Sequence, residues 1–126
     1  MTTSAVREYR AEARSTDTFG RVLGSSRQQH FVVDGPVENG CPGEAITPGE
    51  LFMAGVACCG VELLQVIARD RDIALHGVEA TIEGKIDRAN PVRTDVTVFN
   101  SVRLSFRLKG VDEDQAALLV EAFKAR

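Results

Sequence analysis

The feature of this sequence that most limits its possible folds is a long apolar segment at its centre. Residues 51–67 are mostly apolar or small, and the first half of the segment is apolar around the whole circumference of a helix. The start of the helix is marked, because Thr47 can cap it, Pro48 suits the first helical position and Glu50 completes a capping box. We therefore predict one long helix over Pro48–Asp70, with its first half buried on every side.

Segments typical of β-strands lie on both sides of this helix. They are residues 9–13, 21–23 and 30–34 before the helix, with a turn through residues 24–26, and residues 78–87 and 95–108 after it, joined by a hairpin at residues 88–93. The last two alternate apolar and polar residues, as strands of an antiparallel sheet with one solvated face do. Asn100 interrupts the apolar face of the final strand and indicates a bulge.

A second capping signal, Asp112 with Gln115, predicts a final helix that reaches Lys124. Together the elements predict the α+β class, with antiparallel β-sheets packed around the long central hydrophobic helix. A chain of 126 residues has the typical length of one domain, so we expect a single domain over residues 1–126.

The charge balance and the distribution of apolar residues argue against a nucleic-acid partner, a membrane span and a secretory signal. The chain has 15 basic and 18 acidic residues, a net charge of -3, which argues against a nucleic-acid partner. It has no run of about 18 consecutive apolar residues, as a membrane span would need, and its N-terminal residues lack the apolar core of a secretory signal. We expect a cytoplasmic protein that binds no nucleic acid and no membrane.

Few residues have the spacing of a known chemical site. Glycine-rich phosphate loops and metal-ligand spacings are absent, so we expect no cofactor and no metal, and we assign no role to His30 or His76. Cys41, Cys58 and Cys59 are too few, and odd in number, for a disulfide framework, which predicts free thiols. The loop over residues 34–47 is long for a small domain. Loops of this length are usually either functional or disordered.

The segment TPGELFMAGVACCG, residues 47–60, resembles the helix start and reactive-cysteine segment of the OsmC/Ohr family of thiol-dependent hydroperoxide reductases. The matching positions are Pro48, Glu50, Leu51, Ala54 and Cys59. The step Val-Asp-Gly-Pro at residues 33–36 and the order of the later elements extend the resemblance from about Phe31 to the end of the chain. The resemblance implies an OsmC-like fold, an intertwined homodimer with the site at its interface, and a function in defence against oxidative stress.

The resemblance also implies roles for three residues. By this resemblance Cys59 is the peroxidatic nucleophile, Glu50 orients the site, and an arginine from the N-terminal strands stabilises the thiolate. For the arginine we choose Arg21, and Arg14 is the other candidate. The thiolate of such a site attacks a hydroperoxide and becomes a sulfenic acid, which an external dithiol then reduces. A nearby cation is needed because an apolar setting alone raises the pKa of a thiol.

The same residues can also have purely structural roles, and the sequence leaves these alternatives open. Cys59 and Cys58 can be small buried apolar residues, and Glu50 can be only a capping carboxylate. Glu50 lies nine residues before Cys59, about 13.5 Å and half a turn along a straight helix, so contact needs a kink, a bridging arginine or a second subunit. A non-enzymatic OsmC-like dimer that binds a small hydrophobic ligand is the alternative function.

Two features depart from the family's pattern. Gly49 leaves one acidic residue at the helix start, where many members have two. Family enzymes commonly carry a resolving cysteine after the last helix, and none follows Lys124 in this sequence. Cys58 is a poor substitute because adjacent helical residues cannot adopt disulfide geometry, so Cys41 is the better internal candidate.

Overall fold

The computed structural model describes residues 5–126 and contains two α-helices and five strands. In chain order they are β1 (Glu12–Ser15), β2 (Arg21–Ser26), β3 (Gln29–Asp34), α1 (Pro48–Asp70), β4 (Gly77–Lys85), β5 (Ser101–Lys109) and α2 (Glu113–Lys124), with a short 3-10 turn at Val37–Asn39. The predicted α+β class and the bounds of both helices are confirmed. The chain forms two compact units that divide between Leu51 and Phe52.

The first unit contains a three-stranded antiparallel sheet with the order β1-β2-β3. The turn predicted at residues 24–26 was wrong, because β2 continues to Ser26 and the turn follows at Arg27, whose φ is 55°. Gly24 lies inside the strand because its missing side chain makes room for Phe31. A Cβ at position 24 would lie 2.3 Å from Cε2 of that ring.

The second unit packs the part of α1 after Leu51 and helix α2 with the antiparallel pair β4 and β5. Its core contains Leu64, Ile67, Ala68 and Leu119. The rings of Phe106 and Phe123, 5.3 Å apart between centroids and nearly perpendicular, pack at its edge. The core therefore lies where one face of α1 meets the apolar face of the sheet.

Two predicted strands begin three or more residues later in the structure. The first strand is Glu12–Ser15 and not residues 9–13, and the last begins at Ser101 and not at residue 95. Asn100 explains the second difference. Its side-chain oxygen accepts the N–H of Asp87 at 2.7 Å and its amide donates to the carbonyl of Asn90 at 2.6 Å. Asn100 thus closes a long loop between β4 and β5, and the predicted bulge is absent at this position.

The apolar first half of α1 is not buried on every side within one chain. The side of α1 that carries Met53, Gly60 and Leu64 is buried, whereas Phe52 is 60% exposed and Val56 is 37% exposed. Our expectation of burial all round is therefore wrong for the single chain, because the unit has only one sheet to cover one face of the helix. By length and composition alone α1 could cross a membrane, a test that the core helix of a soluble protein also passes.

Candidate functional site

Cys59 lies in the second unit, on the part of α1 that the chain leaves uncovered. It is an exposed free thiol, and so is Cys58. Helical periodicity places Phe52, Val56 and Cys59 on one stripe, since they are four and three residues apart. The neighbour Gly60 is turned toward the sheet, where a Cβ would lie 2.8 Å from Cζ of Phe106. The predicted nucleophile is thus accessible from one chain's surface and is not a buried core residue.

Arg21 lies in the first unit, where β2 places it directly opposite Asp34 of β3. Its Nε donates to Oδ1 of Asp34 at 2.8 Å and its Nη2 donates to Oδ2 at 2.9 Å. The same Nη2 donates to Oε1 of Glu44 at 3.0 Å. The predicted cation is therefore held by a two-pronged ion pair with one carboxylate and a single bond to another.

The partner of this arginine is a buried carboxylate. The Asp34 side chain has no exposed surface, whereas that of Arg21 is 31% exposed. Oδ2 of Asp34 also accepts the backbone N–H groups of Glu44 and Ala45, at 2.9 and 2.8 Å. The hydrogen bonds from Arg21 hold the pKa of Asp34 well below its ordinary value, against the opposing effect of burial. The bonds to Asp34 and Glu44 in turn raise the pKa of Arg21.

The loop after β3 folds back onto this ion pair, which is why it has a defined structure. The N–H of Gly35 donates to the carbonyl of Gly20 at 2.8 Å, and the N–H of Asp34 donates to the carbonyl of Ile46 at 3.1 Å. Cys41 packs against both glycines, because a Cβ at either position would lie 2.5 Å from its Sγ. The chain neighbours of Arg21 and Asp34 are thus in contact as well.

Glu50 forms the capping box that the sequence predicts. Its Oε1 accepts the N–H of Thr47 at 3.0 Å and the hydroxyl of Thr47 at 2.8 Å, while its own N–H donates to that hydroxyl at 3.4 Å. These bonds lower the pKa of Glu50. The carboxylates that bind Arg21 are therefore Asp34 and Glu44, and Glu50 binds the helix start.

Sequence reasoning did not assign a role to Asp34 or Glu44. The sequence did contain a signal for Asp34. An acidic residue that directly follows the apolar run Phe31–Val33 is placed for burial, and a buried carboxylate needs a hydrogen-bonding or charged partner. Glu44 carries no such signal, since its contact depends on how the loop folds. Arg14 lies on β1 opposite Leu23 and is exposed. In the part of the chain that the structure describes, no cluster of three or more His, Cys, Asp or Glu residues could hold a metal ion.

The chain belongs to the OsmC-like protein family, whose model matches residues 41–126. The match includes Glu50 and Cys59 and begins after Arg21 and Asp34. No curated protein is significantly similar to this chain.

Several solved structures share the fold. An organic hydroperoxide resistance protein OsmC from Legionella pneumophila is 24% identical, with a TM-score of 0.75 over 97% of this chain and 85% of its own. An OsmC-like protein from Mycoplasma pneumoniae is 15% identical, with a TM-score of 0.79 over 95% and 82%. The organic hydroperoxide resistance protein OhrB of Bacillus subtilis is 22% identical, with a TM-score of 0.64 over 96% and 86%. At these identities the likeness establishes the fold.

Proposed function

We propose that this protein is a cytoplasmic, thiol-dependent reductase of organic or inorganic hydroperoxides that acts in defence against oxidative stress. Membership of the OsmC-like family and the names of its structural neighbours support this role. The observation that carries the proposal is the exposed free thiol of Cys59 on the apolar stripe of α1. A thiol needs access to solvent to meet an oxidant, and an apolar surface around it favours an organic substrate.

The reaction is a two-electron transfer from sulfur to the peroxide. The thiolate of Cys59 attacks the terminal, hydrogen-bearing oxygen of the hydroperoxide, so that an S–O bond forms while the O–O bond breaks. The alkoxide or hydroxide that leaves takes up a proton. Cys59 is oxidised to a sulfenic acid and the peroxide is reduced to an alcohol or water. An external dithiol then reduces the sulfenic acid, releases water and becomes a disulfide itself.

We assign Arg21 the role of the cation that stabilises the thiolate, and Glu50 an orienting role in addition to its capping bonds. Arg21 is suited to this because its guanidinium is charged at every physiological pH and is fixed in the first unit by Asp34. The role of Glu50 rests on its position in the family motif.

The working protein is proposed to be a homodimer. The exposed apolar stripe with Phe52 and Val56 supports this, because a monomer rarely leaves such a surface uncovered next to a reactive residue. Sedimentation equilibrium should give twice the mass of the chain. Phe52→Asp should shift the protein toward monomer, whereas Thr81→Asp, on the polar face of β4, should not. A monomeric wild-type protein at micromolar concentration would contradict this part of the proposal.

The decisive experiment compares the two adjacent cysteines. Adding cumene hydroperoxide should remove one thiol per chain rapidly in the wild-type protein and in Cys58→Ser, and sulfenic acid should be trapped with dimedone at Cys59. Cys59→Ser should consume no peroxide. Equal loss of peroxide consumption in both variants, or thiols that all resist the peroxide, would overturn the proposal.

A second candidate is a non-enzymatic OsmC-like dimer that binds a small hydrophobic ligand. The observation that favours it is an aromatic pair in the second unit, where the exposed Phe52 stacks on Phe99 with ring centroids 6.0 Å apart. Native mass spectrometry of the purified protein would detect such a ligand. Ligand bound to the dimer, together with thiols that do not react with peroxide, would favour this candidate over the reductase.

A further inference from the structure

We infer that Asp34 is a positioning residue for the guanidinium of Arg21: it occupies the Nε and Nη2 edge of that group and so fixes the orientation of the whole group, including the unengaged Nη1. The inference rests on the proposed function in one respect, namely that Arg21 serves the reaction of Cys59. The geometric part, that Asp34 fixes the orientation of Arg21, rests on the contacts of the first unit alone.

The carboxylate of Asp34 is itself immobilised. It accepts four hydrogen bonds, two from Arg21 and two from the backbone N–H groups of Glu44 and Ala45. It has no exposed surface, so no water molecule can replace a lost bond from the solvent side. Rotation of the carboxylate would leave buried donors unpaired, which is costly. The direction of the two bonds to Arg21 is therefore fixed by the backbone of the loop.

A two-pronged bond fixes a guanidinium in its plane, because both prongs must stay in line with the two carboxylate oxygens. Nε and Nη2 of Arg21 are engaged in this way. Among residues 5–126 no hydrogen-bond partner is seen for Nη1. Arg21 thus presents one unengaged donor in a constant direction, the property that a cation needs to stabilise a developing anion without reorganising.

Glu44 does not perform this task. Its side chain is 77% exposed and accepts a single bond, from Nη2 of Arg21. An exposed single contact of this kind contributes little and is easily replaced by water. Comparison of Asp34 and Glu44 variants therefore separates positioning from the mere presence of a negative charge near Arg21.

The packing below the pair supports the same assignment. Gly20 and Gly35, the chain neighbours of Arg21 and Asp34, are joined by the 2.8 Å backbone bond, and Cys41 lies against both. Neither glycine has room for a side chain. The backbone that carries the ion pair is therefore held on both strands.

Asp34→Asn is the direct test. An asparagine can present its oxygen to the three donors now at Oδ2, but its amide then faces the Nε–H of Arg21, donor against donor. We expect kcat/KM for cumene hydroperoxide to fall about 10- to 100-fold, as when a catalytic group is misplaced by an ångström. Glu44→Gln should change it by less than about threefold, because that contact is exposed. Asp95→Asn is the matched control, since it breaks the exposed two-pronged pair with Arg93, and it should leave the rate unchanged.

A double-mutant cycle tests whether Asp34 acts through Arg21. In an Arg21→Gln background, Asp34→Asn should have no further effect on kcat/KM, since the group that it positions is gone. An equal fold-loss in both backgrounds would overturn the inference. If Asp34→Asn does not fold, Arg21→Lys replaces it in the test: it keeps the charge, loses the planar fork and should lose activity by a similar factor. Wild-type activity in that variant would likewise overturn the inference.

A readout independent of activity separates this inference from the proposed function. By NMR, the Nε–H of Arg21 should exchange with water at least tenfold more slowly in the wild-type protein than in Asp34→Asn, and Glu44→Gln should resemble the wild type. Fast exchange in the wild type would overturn the inference even if the enzyme is active. Slow exchange in a protein that reduces no hydroperoxide would refute the proposed function and leave the positioning of Arg21 intact. Full activity in a folded Asp34→Asn variant would overturn the inference and leave the proposed function intact.

Discussion

Gly60 of helix α1 lies directly against the ring of Phe106 in β5. A Cβ at position 60 would lie 2.8 Å from Cζ of that ring, closer than carbon atoms approach without displacement. The absence of a side chain at this residue thus sets how near the helix can lie to the sheet. The residue before it is Cys59, so the same contact fixes which face of the helix carries the thiol.

Gly60→Ala should therefore destabilise the protein in spite of alanine's higher helix propensity. We expect a loss of about 1–3 kcal/mol in the free energy of unfolding, as for other overpacked cores, measured by urea denaturation. Gly49→Ala is the matched control in the same helix, because nothing lies within 4 Å of its Cβ position. It should be neutral or stabilise the protein by up to about 1 kcal/mol. Equal stability of the two variants would contradict the close packing of Gly60.

Adjacent leucines in α2 should differ sharply in their contribution to stability. Leu119 is fully buried in the core of the second unit, whereas Leu118 is 44% exposed. Leu119→Ala should lower the free energy of unfolding by about 2–5 kcal/mol, because it removes transfer free energy and leaves a cavity. Leu118→Ala should cost less than about 1 kcal/mol. Similar losses in thermal and urea denaturation would show that the helix is rotated relative to the sheet.

Glu50→Gln separates the two roles considered for that residue. A glutamine at this position can still accept the hydrogen bonds of Thr47, since capping boxes accept Glu or Gln. The thermal midpoint of unfolding should therefore change little. If Glu50 orients the reaction, kcat/KM for hydroperoxide should fall at least about tenfold, by analogy with the loss of one preorganised charged group. Unchanged activity would restrict Glu50 to capping, and Thr47→Ala, about 0.5–2 kcal/mol less stable, would serve as the structural control.

The ion pair of Asp34 predicts how stability depends on pH. The pKa of Asp34 lies below its ordinary value of 3.8 in the folded protein, so the unfolded state binds its proton first as the pH falls. The stabilisation is fully present above about pH 5 and is lost progressively below pH 4. Urea unfolding between pH 2 and pH 7 should show wild type and Asp34→Asn converging at the acid end. A difference that stays constant over this range would contradict the prediction.

Local signals were sufficient for the helices. Thr47 with Glu50, and Asp112 with Gln115, form the predicted capping boxes, because such a box involves only residues three apart in the chain. The family was indicated by the motif that ends at Cys59 and was confirmed by the family model. The strand bounds were predicted less accurately. The residues on both sides of Asn100 have the pattern of a β-strand, and only its hydrogen bonds to Asp87 and Asn90 show that it ends a loop.

The sequence by itself determined which residues form α1, where its caps lie and which thiol the family motif marks, because these depend on neighbouring residues and on helical periodicity. Only the tertiary structure decided that Arg21 pairs with Asp34 and Glu44, that Glu50 turns to Thr47, and that Cys59 is uncovered in one chain. The physical reason is that an ion pair between residues thirteen positions apart depends on strand register and on a loop that folds back. Neither of these leaves a regular pattern in the order of the amino acids.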